Sequence, residues 1–306
     1  MLEIIGLKKN YKKFTALNGI DLKVDEGQIF GFIGPNGAGK TTTMKIICGL
    51  LKPTDGQVFI NNIDALQDIR RAKQYIGYMP DFFGVYDNLK VTEYLDFYSS
   101  IYGIKGNEKE KMIEDLLELV SLTDKADFFV DNLSRGMKQK LCLARCLVHN
   151  PKLLVLDEPA SGMDPRARAD MKKILNTLRD MGKTIIVSSH ILSELSEICT
   201  SIGIISNGNI VISGDVNEVT NKVYNNKIIE IEVTDSVNKA EKILKEIDFV
   251  NDINQIGNKL EVIINGDNDN IRKILKMLVI QDVPVISLSK KTQNLEDIFL
   301  EVTKEA

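Results

Sequence analysis

In QIFGFIGPNGAGKTT (28–42) an apolar run stops at a glycine, and a lysine followed by threonines opens the next run. QIFGFIG reads as a buried strand ending in a turn, and TTTMKIICGLL (41–51) reads as a helix. Between them GPNGAGKT (34–41) satisfies G-x-x-x-x-G-K-[ST] in the strand-then-helix context that gives the motif its meaning. The loop of Gly34, Pro35, Asn36, Gly37, Ala38 and Gly39 lets backbone N–H groups converge on phosphate oxygens. The helix start at Lys40, Thr41 and Thr42 adds its positive dipole end. Lys40 is expected to reach the β- and γ-phosphates and the Thr41 hydroxyl to ligate Mg²⁺. A chance glycine-rich turn is the plain alternative.

Two more apolar runs share this format. KLLVLDEP (152–159) and KTIIVSSH (183–190) both end in polar residues, and parallel α/β sheets bind ligands beyond the carboxyl ends of their strands. Asp157, at such an end, can hold Mg²⁺ through its water shell. Glu158 follows as general base or polarising group for an attacking water; a solvated acidic pair is the alternative. His190 ends a strand on the same edge and is expected to hydrogen-bond the γ-phosphate. His149, in LVHNP at a helix end, is expected to be structural.

Working outward, residues 1–220 read as an α/β domain with a largely parallel sheet. A mainly helical insert, about 82–150, interrupts it: VTEYLDFYSSIYGI and KEKMIEDLLELVSL have helical spacing. The aromatic stretch FFGVYDNLKVTEYL (82–95) is either core packing or a contact surface for a membrane partner's helix. A hairpin centred on Asn207-Gly208 closes the domain. In 221–306 the texture changes to strand KIIEIEVT, helix VNKAEKILKEI, a short strand near 250–256, strand KLEVIING, helix NIRKILKMLVI and strand VPVISLSK. That βαββαβ order describes a small α+β, ferredoxin-like module, followed by a last helix, NLEDIFLEVTK.

Composition excludes several classes. The 306 residues are 43% hydrophobic and 27% charged with a net charge of −4, and no basic stripe suggests a nucleic-acid partner. No apolar run reaches the roughly 18 residues that span a bilayer, and MLEIIGLKKNYKK lacks the order of a secretory signal. A cytoplasmic location is expected, with any membrane role exercised through a partner. The four cysteines form no C-x-x-C pair, and Cys142 and Cys146 read as reduced core residues on one helical face.

With LSRGM (133–137) placed between the two nucleotide motifs, these residues resemble an ATP-binding cassette (ABC) ATPase. The order is Walker A at 34–41, signature at 133–137, Walker B at 153–158, SGMD at 161–164 and the switch histidine at 190. The resemblance covers about residues 1–220, and NLEDIFLEVT also resembles the tail of drug- and peptide-exporter cassettes. It implies a P-loop ABC ATPase core: a mixed, mostly parallel sheet, an antiparallel β part and a helical subdomain. It further implies a head-to-tail homodimer with ATP at the interface, where Ser134 and the Gly136 N–H meet the γ-phosphate held by the other subunit. Asp164 would link the two nucleotide sites, and Tyr11 matches the adenine-stacking aromatic, though a strand-edge tyrosine is an alternative. Locally Ser134 reads as an N-cap, and Asp164-Pro165 as N-cap and N1.

Two positions depart from the family pattern. Arg135 and Met137 replace a glycine and a glutamine of the usual signature, and Arg135 adds a cation near the anionic ligand. Asp81 stands where the resemblance implies a glutamine that touches Mg²⁺ and the attacking water; its carboxylate can still serve a hard cation, and exporter-type cassettes often carry an acidic residue there. The reading is the ATP-hydrolysing subunit of an ABC exporter. It would act peripherally at the inner face of the cell membrane through an integral membrane permease. A soluble, non-transport ABC ATPase of repair or translation is the alternative.

Overall fold

The computed structural model of the chain describes residues 1–81, 84, 88–219, 226–266 and 268–290. The chain divides into two compact units, Met1–Val216 and Asn217–Ala306. The division falls just ahead of the boundary expected at 220, directly after the last strand of the first unit.

In the first unit, β1 (Leu2–Tyr11), β2 (Phe14–Val24), β4 (Asp55–Ile60) and β5 (Ile63–Asp64) form an antiparallel sheet ordered β2-β1-β4-β5. A second sheet holds β3 (Ile29–Ile33), β6 (Ile76–Met79), β7 (Leu153–Leu156), β8 (Thr184–Ser189), β9 (Ser201–Ser206) and β10 (Asn209–Asp215). Its order is β10-β9-β3-β8-β7-β6, parallel throughout except for the β9–β10 hairpin. β3, β7 and β8 are buried along their whole length, which is why they read as continuous apolar runs rather than alternating ones.

Helix α1 (Lys40–Ile47) buries Met44, Ile46 and Ile47 in a core shared with Leu17 and Ile20 of the antiparallel sheet and Phe32 and Val155 of the parallel one. Each fully buried aliphatic or aromatic side chain contributes roughly 1.5–3 kcal/mol, so this core fixes α1 against β3. After the short α2 (Ile69–Lys73), the helical insert supplies α3 (Val91–Ile101), α4 (Gly106–Leu119) and α5 (Arg135–Leu147). Tyr94 and Leu95 of α3 are fully buried, with the Tyr94 hydroxyl 3.2 Å from Arg145 Nη1, so this part of the aromatic stretch is core. Its residues 82, 83 and 85–87 lie outside the described residues, as does 291–306 with the expected last helix.

Two caps set the helices that matter for the site. Ser134 Oγ accepts the Met137 N–H at 3.3 Å and starts α5. Asp164 Oδ1 accepts the Arg166 and Ala167 N–H groups at 2.9 Å each, with Pro165 at N1, and starts α6 (Pro165–Asp180). A short α7 (Leu192–Ser196) follows β8.

The second unit runs β11 (Asn226–Val233), α8 (Val237–Lys245), β12 (Val250–Ile256), β13 (Lys259–Asn265), α9 (Asn268–Ile280) and β14 (Val285–Lys290). The antiparallel sheet order β12-β13-β11-β14 is the ferredoxin-like arrangement. Its core joins Ile229, Ile231, Leu260, Val262 and Ile264 to Leu244, Ile274 and Leu278.

Candidate functional site

The register of the parallel sheet brings the sequence-predicted residues together. Ile33 pairs with Ser189, Leu156 with Val187, and Met79 with Leu156. β3 and β8 therefore end together, two residues beyond β7 and β6, and the loop from Gly34, the Asp157-Glu158 pair, His190 and Asp81 all leave from one edge. The phosphate loop turns into α1 through Gly39 at φ 117°, where a side chain would be strained and its Cβ would come within 2.7 Å of Leu17 Cδ2. Helix α1 has no side-chain cap and no acid in its first turn, which leaves its N–H groups and dipole uncompensated for an anion. Thr41 is exposed on that turn and Thr42 half-buried.

Lys40 is only 5% exposed. Its ammonium donates to the carbonyls of Gly34 (2.6 Å) and Pro35 (3.2 Å) and stands 3.9 Å from Glu158 Oε1. Burial holds its amine below the usual lysine range, opposed by the charges of Glu158, Asp157 and Asp81. The loop thus turns the carbonyls of Gly34 and Pro35 toward one buried cation, which stands beside the Glu158 carboxylate.

Asp157 is 1% exposed. Its Oδ1 accepts from Ser188 Oγ at 2.7 Å, whereas Oδ2 is buried with no hydrogen-bond partner. An orphaned carboxylate oxygen in such a place fits a hard cation. Among the described residues no group of three or more acids, histidines or cysteines is placed to hold a metal unaided. A cation at this edge would therefore complete its shell with water and phosphate oxygens.

Glu158 has φ 48°, the left-handed region that costs a non-glycine residue of order 1 kcal/mol or more. Ser188 holds it there: its Oγ accepts the Glu158 N–H at 2.9 Å while donating to Asp157. His190 Nδ1 lies 3.1 Å from Glu158 Oε2 and 3.3 Å from Oε1. The pair uses Nδ1 and so keeps Nε2 for a ligand. Ser188 was missed in sequence reasoning, although the polar pair Ser188-Ser189 at the end of an apolar strand was its visible trace.

The other predicted residues are spread around this edge. Asp81 is exposed in the bend after β6. Tyr11 ends β1 at the tip of the β1–β2 hairpin, 45% exposed, with Lys9 Nζ 5.0 Å from its ring centroid. Its cross-strand partner Phe14, 60% exposed, is a second aromatic that the sequence did not single out. Ser134, Gly136 and Asp164 sit at the starts of α5 and α6, two helices that approach each other where Gly136 meets Ala167. Arg135 lies against Gly162 of the SGMD turn. His149 stacks on Tyr102 at 4.2 Å with Nε2 2.9 Å from the Ile76 carbonyl oxygen, a packing role. All four cysteines are free and buried.

Comparison with known proteins gives the same picture at larger scale. Residues 17–161 match the family model described as ABC transporter, and 214–303 match the C-terminal domain of DrrA1-3-like ATP-binding proteins. The chain is 31% identical to the linearmycin resistance ATP-binding protein LnrL of Bacillus subtilis, covering 99% of this chain and 98% of that protein. It is 32% identical to the bacitracin transport ATP-binding protein BcrA of Bacillus licheniformis, covering 99% and 97%. Among solved structures, a dimeric ATP-binding cassette in a post-hydrolysis state with ADP and Pi is similar at a TM-score of 0.65 and 25% identity. It covers 71% of this chain and 99% of that one.

Proposed function

The chain belongs to the ABC transporter family of ATP-binding proteins, and on that premise we propose that it is the ATPase subunit of an exporter, driving a separate membrane permease. The observation that carries the catalytic part is the strained, doubly anchored Glu158 beside the buried Lys40 and the orphaned Asp157 oxygen.

The phosphate loop and the α1 N-terminus bind the triphosphate, and Lys40 leaves its loop carbonyls to donate to phosphate oxygens. Thr41 and Asp157, with Asp81 at the rim, would hold Mg²⁺, which when bound supplies charge neutralisation at the phosphates. Glu158 accepts a proton from the attacking water, and His190, oriented through Nδ1, meets the γ-phosphate with Nε2, donating there as the imidazolium. The base stacks on Tyr11.

Two copies pack head to tail, so that Ser134 and the Gly136 N–H of one meet the γ-phosphate bound by the other, with Asp164 at the junction. Among the described residues no helix is long and apolar enough to cross a membrane. Attachment to the inner face of the membrane then comes through the permease. The association of the named relatives with linearmycin resistance and bacitracin transport supports the export reading. The test is MgATP turnover by the full-length chain and its Glu158→Gln variant. Loss of turnover with an ATP-stabilised dimer in size exclusion is expected, and wild-type turnover by the variant would remove Glu158 as base.

A further inference from the structure

Arg135 occupies a position where the family signature has glycine, and its side chain is engaged within its own protomer. Gly162, in the turn that follows Glu158, has φ 68°, and a Cβ built there would come within 2.5 Å of Arg135 Cζ and Nη1. The guanidinium therefore occupies the space beside Gly162 where a side chain would otherwise stand, a fit that a glycine allows. Two neighbouring contacts tie the same elements. Gln139 Nε2 of α5 donates to the Ser161 carbonyl at 3.0 Å, and a Cβ at Gly136 would sit 3.1 Å from Ala167 Cβ of α6. The turn itself runs back to the base: the Ser161 N–H donates to the Glu158 carbonyl at 3.1 Å, and the Met163 N–H to that of Ala160 at 3.3 Å.

We infer that Arg135 is a positioning residue that clamps the 160–163 turn to the start of α5, so that α5 and the Glu158 backbone move as one body. It rests on the proposed head-to-tail reading, in which the α5 start meets the other subunit's ATP. Contact made there is passed through Arg135 and Gly162 to the backbone that holds Glu158 in its left-handed conformation. In a signature with glycine at 135 the corresponding side chain is missing, and only the Gln139 bond and the Gly136–Ala167 approach would span the gap. Arg135 thus acts on the rate of hydrolysis in its own site rather than on the affinity for nucleotide.

The experiment uses the full-length chain with MgATP and the variants Arg135→Lys, Arg135→Gln and Arg135→Gly. All three are expected to lose kcat about ten- to a hundredfold, the penalty for a catalytic group misplaced from a distance, with KM for ATP within about twofold of wild type. Lysine keeps the charge but not the planar fork, so Arg135→Lys is not expected to rescue. Melting temperatures and ATP-dependent dimerisation in a Glu158→Gln background should be unchanged, because the side chain is exposed. A raised KM that Arg135→Lys restores would overturn the clamp in favour of a direct phosphate contact, and wild-type kcat in all three would overturn it outright. A wild-type chain without MgATP turnover would instead overturn the ATPase reading, and the inference with it.

Discussion

Replacing Ser188 with alanine should damage the site without touching the phosphate loop. Its hydroxyl is fully buried, donates to Asp157 Oδ1 at 2.7 Å and accepts the Glu158 N–H at 2.9 Å. A bond to a buried carboxylate contributes about 1.5–3 kcal/mol and a neutral one about 0.5–1.5, so losing both costs about 2–4.5 kcal/mol. For a domain of this size that corresponds to a fall in melting temperature of about 5–15 °C. Catalysis should suffer separately. With its N–H released, Glu158 loses an anchor of its left-handed backbone, and kcat should fall about tenfold or more while KM for ATP changes little. Urea denaturation and steady-state ATPase assays on wild type, Ser188→Ala and Ser188→Cys would measure both effects, with the weakly donating thiol intermediate. If Ser188→Ala kept stability within about 0.5 kcal/mol and kcat within about twofold of wild type, the bridge would be ornamental and the account of the Asp157–Glu158 pair wrong.

Other outcomes follow from the same geometry. Tyr11→Ala should weaken nucleotide binding by about tenfold, the loss of one base–aromatic stack, at unchanged stability because the ring is 45% exposed; a fluorescent ATP titration reads this. Asp81→Ala should raise the Mg²⁺ concentration giving half-maximal ATPase severalfold, and an unshifted Mg²⁺ titration would remove Asp81 from the metal shell. Burial holds His149 below the usual histidine value, so the unfolded chain takes up its proton at a higher pH than the folded one. Stability is therefore full above about pH 6.5 and is lost as pH falls through the lowered folded value. The slope is at most ~1.4 kcal/mol per pH unit, reduced by solvent screening at this part-buried ring. His149→Phe, which keeps the stack on Tyr102, should flatten that slope in urea denaturation at pH 7.5 and 5.5.

Much of the fold could be read from the order of runs and breaks. The three strands ending at Gly34, Asp157 and His190 were legible because strands buried on both faces are continuously apolar and stop abruptly at the ligand edge. The second unit was legible for the opposite reason: β11 and β13 alternate, with Ile229, Ile231, Leu260 and Val262 inward. The neighbour order of the parallel strands was hidden, since crossover connections leave no local signature of which strand lies beside which. Within the site, residue types announced Lys40, Asp157, Glu158 and His190, whereas the work of Ser188 and Arg135 depends on partners about 30 positions away and has no pattern in one dimension. Arg135 shows the limit best: its charge suggested a role toward the anionic ligand, but its guanidinium lies beside Gly162.

The left-handed backbone at Glu158 also carries an evolutionary consequence. Asparagine or glycine would sit in that conformation more comfortably, so the chain could gain stability, of order 1 kcal/mol, by abandoning its carboxylate. A lineage relieved of selection for turnover would be expected to drift that way, ending as a sturdier but inert binding module. Keeping glutamate at 158 runs against the folding gradient, as the proposed role of base would require.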